Sequence, residues 1–357
     1  MKSRPPVERD TLDPMESAAT PLHLAARVED AVQRFREKRG RRRGLVPSVV
    51  PFTGYGGPGW VRVLGRVVLR RPEDGGEASA DRLTSIRGWR SFTSVHVADA
   101  EVTVTIGRAR RVIRSDRGGV LDARIDATLP PGWHDIRLTI EGADTVDAQV
   151  FVVADDVDFG LVSDIDDTVM VTALPRPFLA AWNTFVLDEH ARTPVAGMAV
   201  LYERLVRAHP GLPVIYLSTG AWNVVPTLSR FLSRNLYPRG TLLLTDWGPT
   251  HDRWFRSGVD HKRTNLERLA AEFPRVRWLL VGDDGQHDPQ IYGDFADAHP
   301  EHVAAVAIRQ LTTGQAVLAG GRSEPEPHAA EVPWRYAPDG AGLAAQLTGL
   351  GLLPPVM

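Results

Sequence analysis

Three aspartates crowd into VSDIDDTVM, Val162 to Met170, directly after the apolar Phe159-Gly160-Leu161. A carboxylate at the end of a buried strand costs several kcal/mol unless a cation or hydrogen bonds compensate it. Two other apolar runs end in polar clusters. PVIYL is followed by Ser218-Thr219-Gly220, and VRWLLVG by Asp283-Asp284-Gly285-Gln286-His287-Asp288. Asp260-His261-Lys262 lies between them and is expected to open a helix. Clustered carboxylates repel one another unless a cation sits among them. Oxygen donors, with no Cys in the chain and no histidine spacing of a zinc site, favour Mg²⁺. Mg²⁺ held by few protein ligands completes its shell with water and a substrate phosphate. A Ser hydroxyl, neighbouring backbone N–H groups and a Lys ammonium donate to phosphate oxygens. One Asp can then attack phosphorus. A second, two residues on, can protonate the leaving oxygen and later take a proton from water.

Lys262 has a further peculiarity. Lysine occurs only at positions 2, 38 and 262, and the remaining basic residues are Arg. GC-rich coding would explain the bias, yet position 262 keeps its ammonium, which hints that a guanidinium does not serve there.

The elements that must position these groups fall into blocks. Residues 1–20 read as a disordered leader. A helix is expected from about Pro21 to Lys38, with Leu22, Ala25, Val28, Val32 and Phe35 on one face. It runs into REKRGRRRG, Arg36 to Gly44, so that 21–44 form a helix and basic linker. That run could touch anionic lipid or nucleic acid, or be a solvated helix end. From 45 to 157, short Val-, Ile- and Thr-rich pieces such as WVRVLGRVVLR and HDIRLTIEG predict an all-β sandwich. From 158 to 357, near-continuous apolar strands alternate with helices, which predicts a parallel sheet covered on both faces. Ligands of such sheets bind beyond the carboxyl ends of the strands, where the acidic clusters fall.

The set resembles the haloacid-dehalogenase-like phosphatase superfamily. Its DxDxT signature is matched by Asp164-Ile165-Asp166-Asp167-Thr168, its strand-ending hydroxyl by Ser218, its lysine by Lys262, and its acidic cluster by Gly282-Asp283-Asp284 with Asp288. SDIDDT, NTFVLDEHARTPVAGMAVLYERL, YLSTGAWN, LLLTDWGPT, DHK and GDDGQHDPQIY look more narrowly like the catalytic domain of the actin-patch-associated phosphatidate phosphatases. That likeness covers roughly Asp158 to Gln310. Thr219-Gly220 and Asp284 stand where Asn-Ser and Ser would be expected.

The resemblance implies a three-layer Rossmann-like α/β core with a small helical cap at about 170–197, behind the β-sandwich. It implies Mg²⁺-dependent removal of phosphate from phosphatidate. Asp164 is then the nucleophile and a metal ligand. Asp166 is the acid/base, with its carbonyl on the metal, and Thr168 orients the loop. Asp167 caps the following turn or bonds backbone amides. Ser218, Thr219 and Gly220 hold phosphate, and Lys262 balances its charge. Asp283 binds the metal, supported by either Asp284 or Asp288. Arg176, Arg192, Trp222 and Asn223 are candidates for substrate contact, as are the apolar cap residues around Phe178 and Trp182 and the strand-end group Asp246-Trp247-Gly248.

Two other functions fit the same residues: a phosphatase for a soluble phosphomonoester, and an adaptor for lipid or protein built on a vestigial fold. A net charge of −2 gives no reason to expect a nucleic-acid partner. The first residues carry no apolar signal-peptide core, and no run reaches the ~18 apolar residues of a membrane span. The expectation is a cytoplasmic protein, with peripheral contact at the inner membrane face.

Overall fold

The computed structural model describes residues 21–71, 95–171, 193–245, 251–285, 287–319, 321 and 331–355. Helix α1 (Pro21–Arg42) leads into β1 (Val46–Gly57), β2 (Trp60–Arg70), β3 (Glu101–Ile106), β4 (Ala109–Arg114), β5 (Val120–Asp126), β6 (Gly132–Ile140) and β7 (Val146–Val152). These strands form one seven-stranded sheet in the order β4-β3-β6-β7-β1-β2-β5. Its neighbours are antiparallel except β1 and β7, which run parallel.

The chain continues through β8 (Phe159–Ser163), β9 (Met170–Val171), β10 (Thr193–Pro194), α2 (Met198–Ala208), β11 (Val214–Ala221), α3 (Val225–Arg234) and β12 (Thr241–Thr245). Then come α4 (His251–Glu272), β13 (Arg277–Asp283), α5 (Asp288–Ala298), β14 (Val303–Arg309), α6 (Thr313–Ala319), β15 (Trp334–Ala337) and α7 (Gly340–Gly349). Six of these strands make a parallel sheet in the order β12-β11-β8-β13-β14-β15. β8, β12 and β14 are buried at every position, which is why their sequences are apolar without a break. The central strands pack closely: a Cβ on Gly160 would lie 2.4 Å from the Trp278 ring.

The expected fold class is corrected on two points. The strands of 45–157 do not form a two-sheet sandwich. They form a single mixed sheet whose edge strands β4 and β5 curl into contact, toward a barrel. Period-2 alternation reports that a strand buries one face, and a facing sheet or the same sheet curled over satisfies it equally. The register shift between Phe52 and Tyr55 in β1 marks where the pairing is irregular, and such irregularities sharpen twist. Nor is the β-region a unit packed apart from a layered domain. Phe52, Tyr55, Trp60, Leu64 and Val120 belong to the same apolar cluster as the strands of the parallel sheet. β2 is accordingly buried on both faces.

A polar network ties the two sheets as well. The Tyr55 hydroxyl donates to Glu272 at 2.7 Å. Arg62 donates to Glu272 at 2.6 and 3.2 Å and to Asp122 at 2.5 Å. Arg268 of α4 reaches the same Asp122 at 2.8 Å. At the far end of the chain, β15 adds to the parallel sheet, and Asp339 caps α7 by accepting from the Gly342 amide at 2.9 Å. Leu343 and Leu347 of α7 are fully buried, so the tail packs on the core.

The leader 1–20, the cap residues Arg176 and Arg192 with the apolar set around Phe178 and Trp182, and Asp246-Trp247-Gly248 lie outside the described residues. The flanks of the expected cap, β9 and β10, pair antiparallel.

Removing Glu272 leaves the Tyr55 hydroxyl without its acceptor and the Arg62 guanidinium with Asp122 as its remaining carboxylate partner. Glu272→Ala is expected to cost about 2 kcal/mol in chemical denaturation. A loss within experimental error would mean that the apolar contact alone joins the sheets.

Candidate functional site

The site forms where β8, β11 and β13 end. β8 is flanked by β11 and β13, so its last residues lie at the centre of the sheet edge. Asp164 follows β8 directly, and its amide donates to the Val281 carbonyl at 2.8 Å, extending the ladder by one residue. The chain then turns tightly. The Thr168, Val169 and Met170 amides all point to the Ile165 carbonyl. Asp167 takes a left-handed conformation (φ 55°), which Asp tolerates better than most residues. Its amide donates to the Met170 carbonyl at 2.7 Å, so Asp167 shapes the turn.

Lys262 anchors the centre. Its ammonium donates to Asp164 Oδ1 at 2.7 Å and to Asp288 Oδ1 at 2.5 Å, with all three side chains at most 6 % exposed. Lys262 does not open a helix, as the sequence suggested. It sits midway along α4, which begins at His251. A mid-helix position holds the lysine stem rigid between the elements that carry the two carboxylates.

Asp283 ends β13, and its Oδ1 accepts from the Gly285 amide at 2.6 Å. Asp288 opens α5, where a carboxylate faces the positive end of the helix dipole. The loop between them returns tightly because position 282 is glycine: a Cβ there would lie 2.5 Å from Asp288 Oδ2. Carboxylate oxygens of Asp164, Asp283 and Asp288 come within 4.8 Å of one another. Asp284 points elsewhere. Its Oδ1 accepts from the Leu311 amide at 2.8 Å. Of the two alternatives left open by the sequence, Asp288 is the one that joins the cluster.

Three carboxylates against one ammonium leave two negative charges in a buried space. Burial pushes the Asp164 and Asp283 carboxyls well above their ordinary range. Lys262 opposes this at Asp164, and the neighbouring carboxylates reinforce it at both residues. Burial alone would pull Lys262 down, but Asp164 and Asp288 outweigh it and raise it. A divalent cation would supply the missing charge, and an all-oxygen donor set suits a hard ion. Asp164, Asp283 and Asp288 could hold such an ion.

Ser218 faces Asp166. Its hydroxyl donates to Asp166 Oδ2 at 3.2 Å and accepts from the Gly220 amide at 3.0 Å. β11 continues to Ala221, so Thr219 is not at a helix N-terminus, contrary to the sequence reading. The Thr219 carbonyl accepts from Thr245 Oγ1 at 2.9 Å. Trp222 is buried and stacks on Phe52 of β1, with ring centroids 5.0 Å apart and planes 3° apart. Its indole therefore packs the junction of the two sheets. Asn223 Oδ1 and the fully buried Thr168 Oγ1 have no hydrogen-bond partner among the described residues.

Sequence reasoning missed Arg309. It ends β14 at the same edge and is 4 % exposed. It donates to the Asp167 carbonyl at 2.5 Å, to Gln315 at 2.9 Å and to the Pro338 carbonyl at 3.3 Å. Burial lowers its pKa, opposed by Asp167, Asp283 and Asp284. The signal was present in HVAAVAIRQ, where a charge ends an apolar strand. Reading strand ends for carboxylates and a hydroxyl passed over it. His261 is nearly neutral at physiological pH, because burial drops its pKa to about 4.

Residues 159–310 match the family model of the catalytic domain of phosphatidate phosphatase APP1. The matched segment runs from the start of β8 through β14, so it holds every residue of the cluster. This segment is similar to that domain. The chain is 24 % identical to the phosphatidate phosphatase APP1 of Saccharomyces cerevisiae over 151 residues, which is 42 % of this chain and 25 % of the yeast protein. It is 25 % identical to an uncharacterized protein of Schizosaccharomyces pombe over 152 residues, again 42 % and 25 %. The chain thus spans about a quarter of the length of these relatives. Among solved structures, a carbohydrate acetylesterase from Xanthomonas citri aligns with 77 % of this chain and 73 % of its own, at 11 % identity and a TM-score of 0.29. A second carbohydrate esterase aligns with 86 % and 91 %, at 11 % identity and a TM-score of 0.24. Likeness at that level carries no argument, and it lends none to the haloacid-dehalogenase-like class expected from the sequence. No helix among the described residues is long and apolar enough to cross a membrane.

Raised carboxyl pKa values mean that the metal-free folded protein binds more protons than the unfolded chain. Its stability should fall as pH rises from about 4, the unfolded value, toward the raised ones. Asp283→Asn removes one buried charge. The variant is expected to unfold at a higher temperature than wild type at neutral pH without metal, and to lose the upward shift that a divalent ion gives wild type. An unchanged metal response in Asp283→Asn would remove Asp283 from the ion site.

Proposed function

We propose that the 159–310 segment is a Mg²⁺-dependent phosphatase that hydrolyses phosphatidate to diacylglycerol and phosphate through an aspartyl-phosphate. The observation that carries this reading is the buried Asp164–Lys262–Asp288 ion set with Asp283 beside it, inside the segment that matches the phosphatidate phosphatase catalytic-domain model.

Asp164 is the nucleophile. Lys262 holds one of its oxygens, which orients the other toward the phosphorus and leaves it free to attack. As the Asp164 oxygen bonds to phosphorus, the bond to the glycerol oxygen breaks, and that oxygen takes a proton from Asp166. Diacylglycerol leaves. Asp166 then accepts a proton from water, the water oxygen attacks phosphorus, and the bond to Asp164 breaks to release phosphate. Ser218 donates to the Asp166 carboxyl in the free protein; with substrate bound its one hydroxyl proton, and the Thr219 and Gly220 amides, would turn to phosphoryl oxygens. Lys262 offsets charge on Asp164 and the phosphoryl group. Thr168, buried beneath the loop, and Arg309, bonded to the Asp167 carbonyl, keep the Asp166 turn in place. Mg²⁺, held by Asp164, Asp283 and Asp288 with the Asp166 carbonyl, would neutralise phosphate charge and polarise phosphorus. Arg176, Arg192 and Asn223 remain candidates for headgroup contact.

Phosphate release from phosphatidate in mixed micelles, beside sugar and nucleotide phosphates, tests the assignment. Wild type is expected to prefer phosphatidate and to require Mg²⁺. Asp164→Asn should fall to background with its unfolding transition intact, and Asp166→Asn should lose roughly 10²–10⁴-fold. Near-normal turnover by Asp164→Asn would refute the mechanism. Preference for a soluble ester would refute the substrate.

A further inference from the structure

We propose that α1 is a docking helix for an anionic lipid surface. The helix has two distinct faces. Gln33, Glu37 and Gly40, spaced by four and three residues, form the face turned to the sheet. Gln33 Nε2 donates to the His96 carbonyl at 2.8 Å. Gly40 lies so close to β2 that a Cβ would sit 2.6 Å from Leu69 Cδ1. Glu37 is partly covered and pairs with Arg41 at 2.9 Å.

The opposite face carries Val32, Phe35, Lys38, Arg39 and Arg42. Phe35 is 64 % and Val32 52 % exposed, an unusual state for large apolar groups. Lys38, Arg39 and Arg42 are exposed beside them and have no carboxylate partner among the described residues. Apolar groups flanked by cations on one outward face fit a bilayer interface: the cations meet lipid phosphates, and the apolar groups enter the acyl boundary. Duplex nucleic acid would use the cations but offers the outward Phe35 nothing.

Sedimentation of the full chain with phosphatidylcholine vesicles, with and without phosphatidylserine, tests the docking. Phosphatidylserine is not the proposed substrate, so the outcome is independent of the phosphatase reading. Wild type is expected to bind only the vesicles with phosphatidylserine, and to be released by salt. Neutralising Lys38, Arg39 and Arg42 together to Gln should weaken binding about a hundredfold, at about fivefold per cation. Phe35→Ser should weaken it roughly tenfold. All these positions are exposed, and the thermal unfolding midpoint should match wild type. Absence of wild-type binding, binding unchanged by the substitutions, or binding to duplex DNA in place of vesicles would each overturn the proposal.

Discussion

The buried ion set of Lys262 with Asp164 and Asp288 is the constraint on which the rest depends. It joins three elements distant in sequence: the end of β8, the middle of α4 and the start of α5. A buried ammonium needs both carboxylates, and the carboxylates need more positive charge than one ammonium supplies. The centre is therefore short of positive charge, and a bound cation would neutralise the acidic excess. In the function proposed above, that cation, Lys262 and the Ser218 loop would together meet the charge of a phosphate. The folding cost of gathering these charges is carried by the surrounding apolar core, in which β8, β13 and β14 are almost wholly buried.

The two sheets serve that centre as one body. Trp222 follows the strand that carries Ser218, and it is held by Phe52 from the β-region. Glu272 ends the helix that carries Lys262, and it is held by Tyr55 and Arg62. The strand end and the helix are thus each clamped by residues more than a hundred positions earlier. A curled mixed sheet with long β1 and β2 strands can offer such contacts on its outer face while packing its own core inside.

Much of this was legible in the sequence because chemistry and burial used the same positions. Apolar runs ending in Asp164, Ser218 and Asp283 mark parallel strands, and such strands converge at their carboxyl ends. The rest was hidden for physical reasons. A strand pattern cannot distinguish a sandwich from a curled sheet. Helix starts are weakly encoded, so Lys262 looked terminal when it is central. Asp284 and Asp288 are alike as residues, and only the room left by Gly282 decides which of them turns into the cluster. Arg309 was readable but was passed over, since its strand ends in a cation rather than an acid. The shared core of the two sheets has no local signal at all.

The most direct test of the central claim is anomalous scattering from a crystal of the full chain grown with Mn²⁺, which substitutes for Mg²⁺ at hard oxygen sites. The account predicts one strong peak among the carboxylates of Asp164, Asp283 and Asp288, with Lys262 still bonded to Asp164. No peak there, or a peak at Asp284 instead, would contradict it.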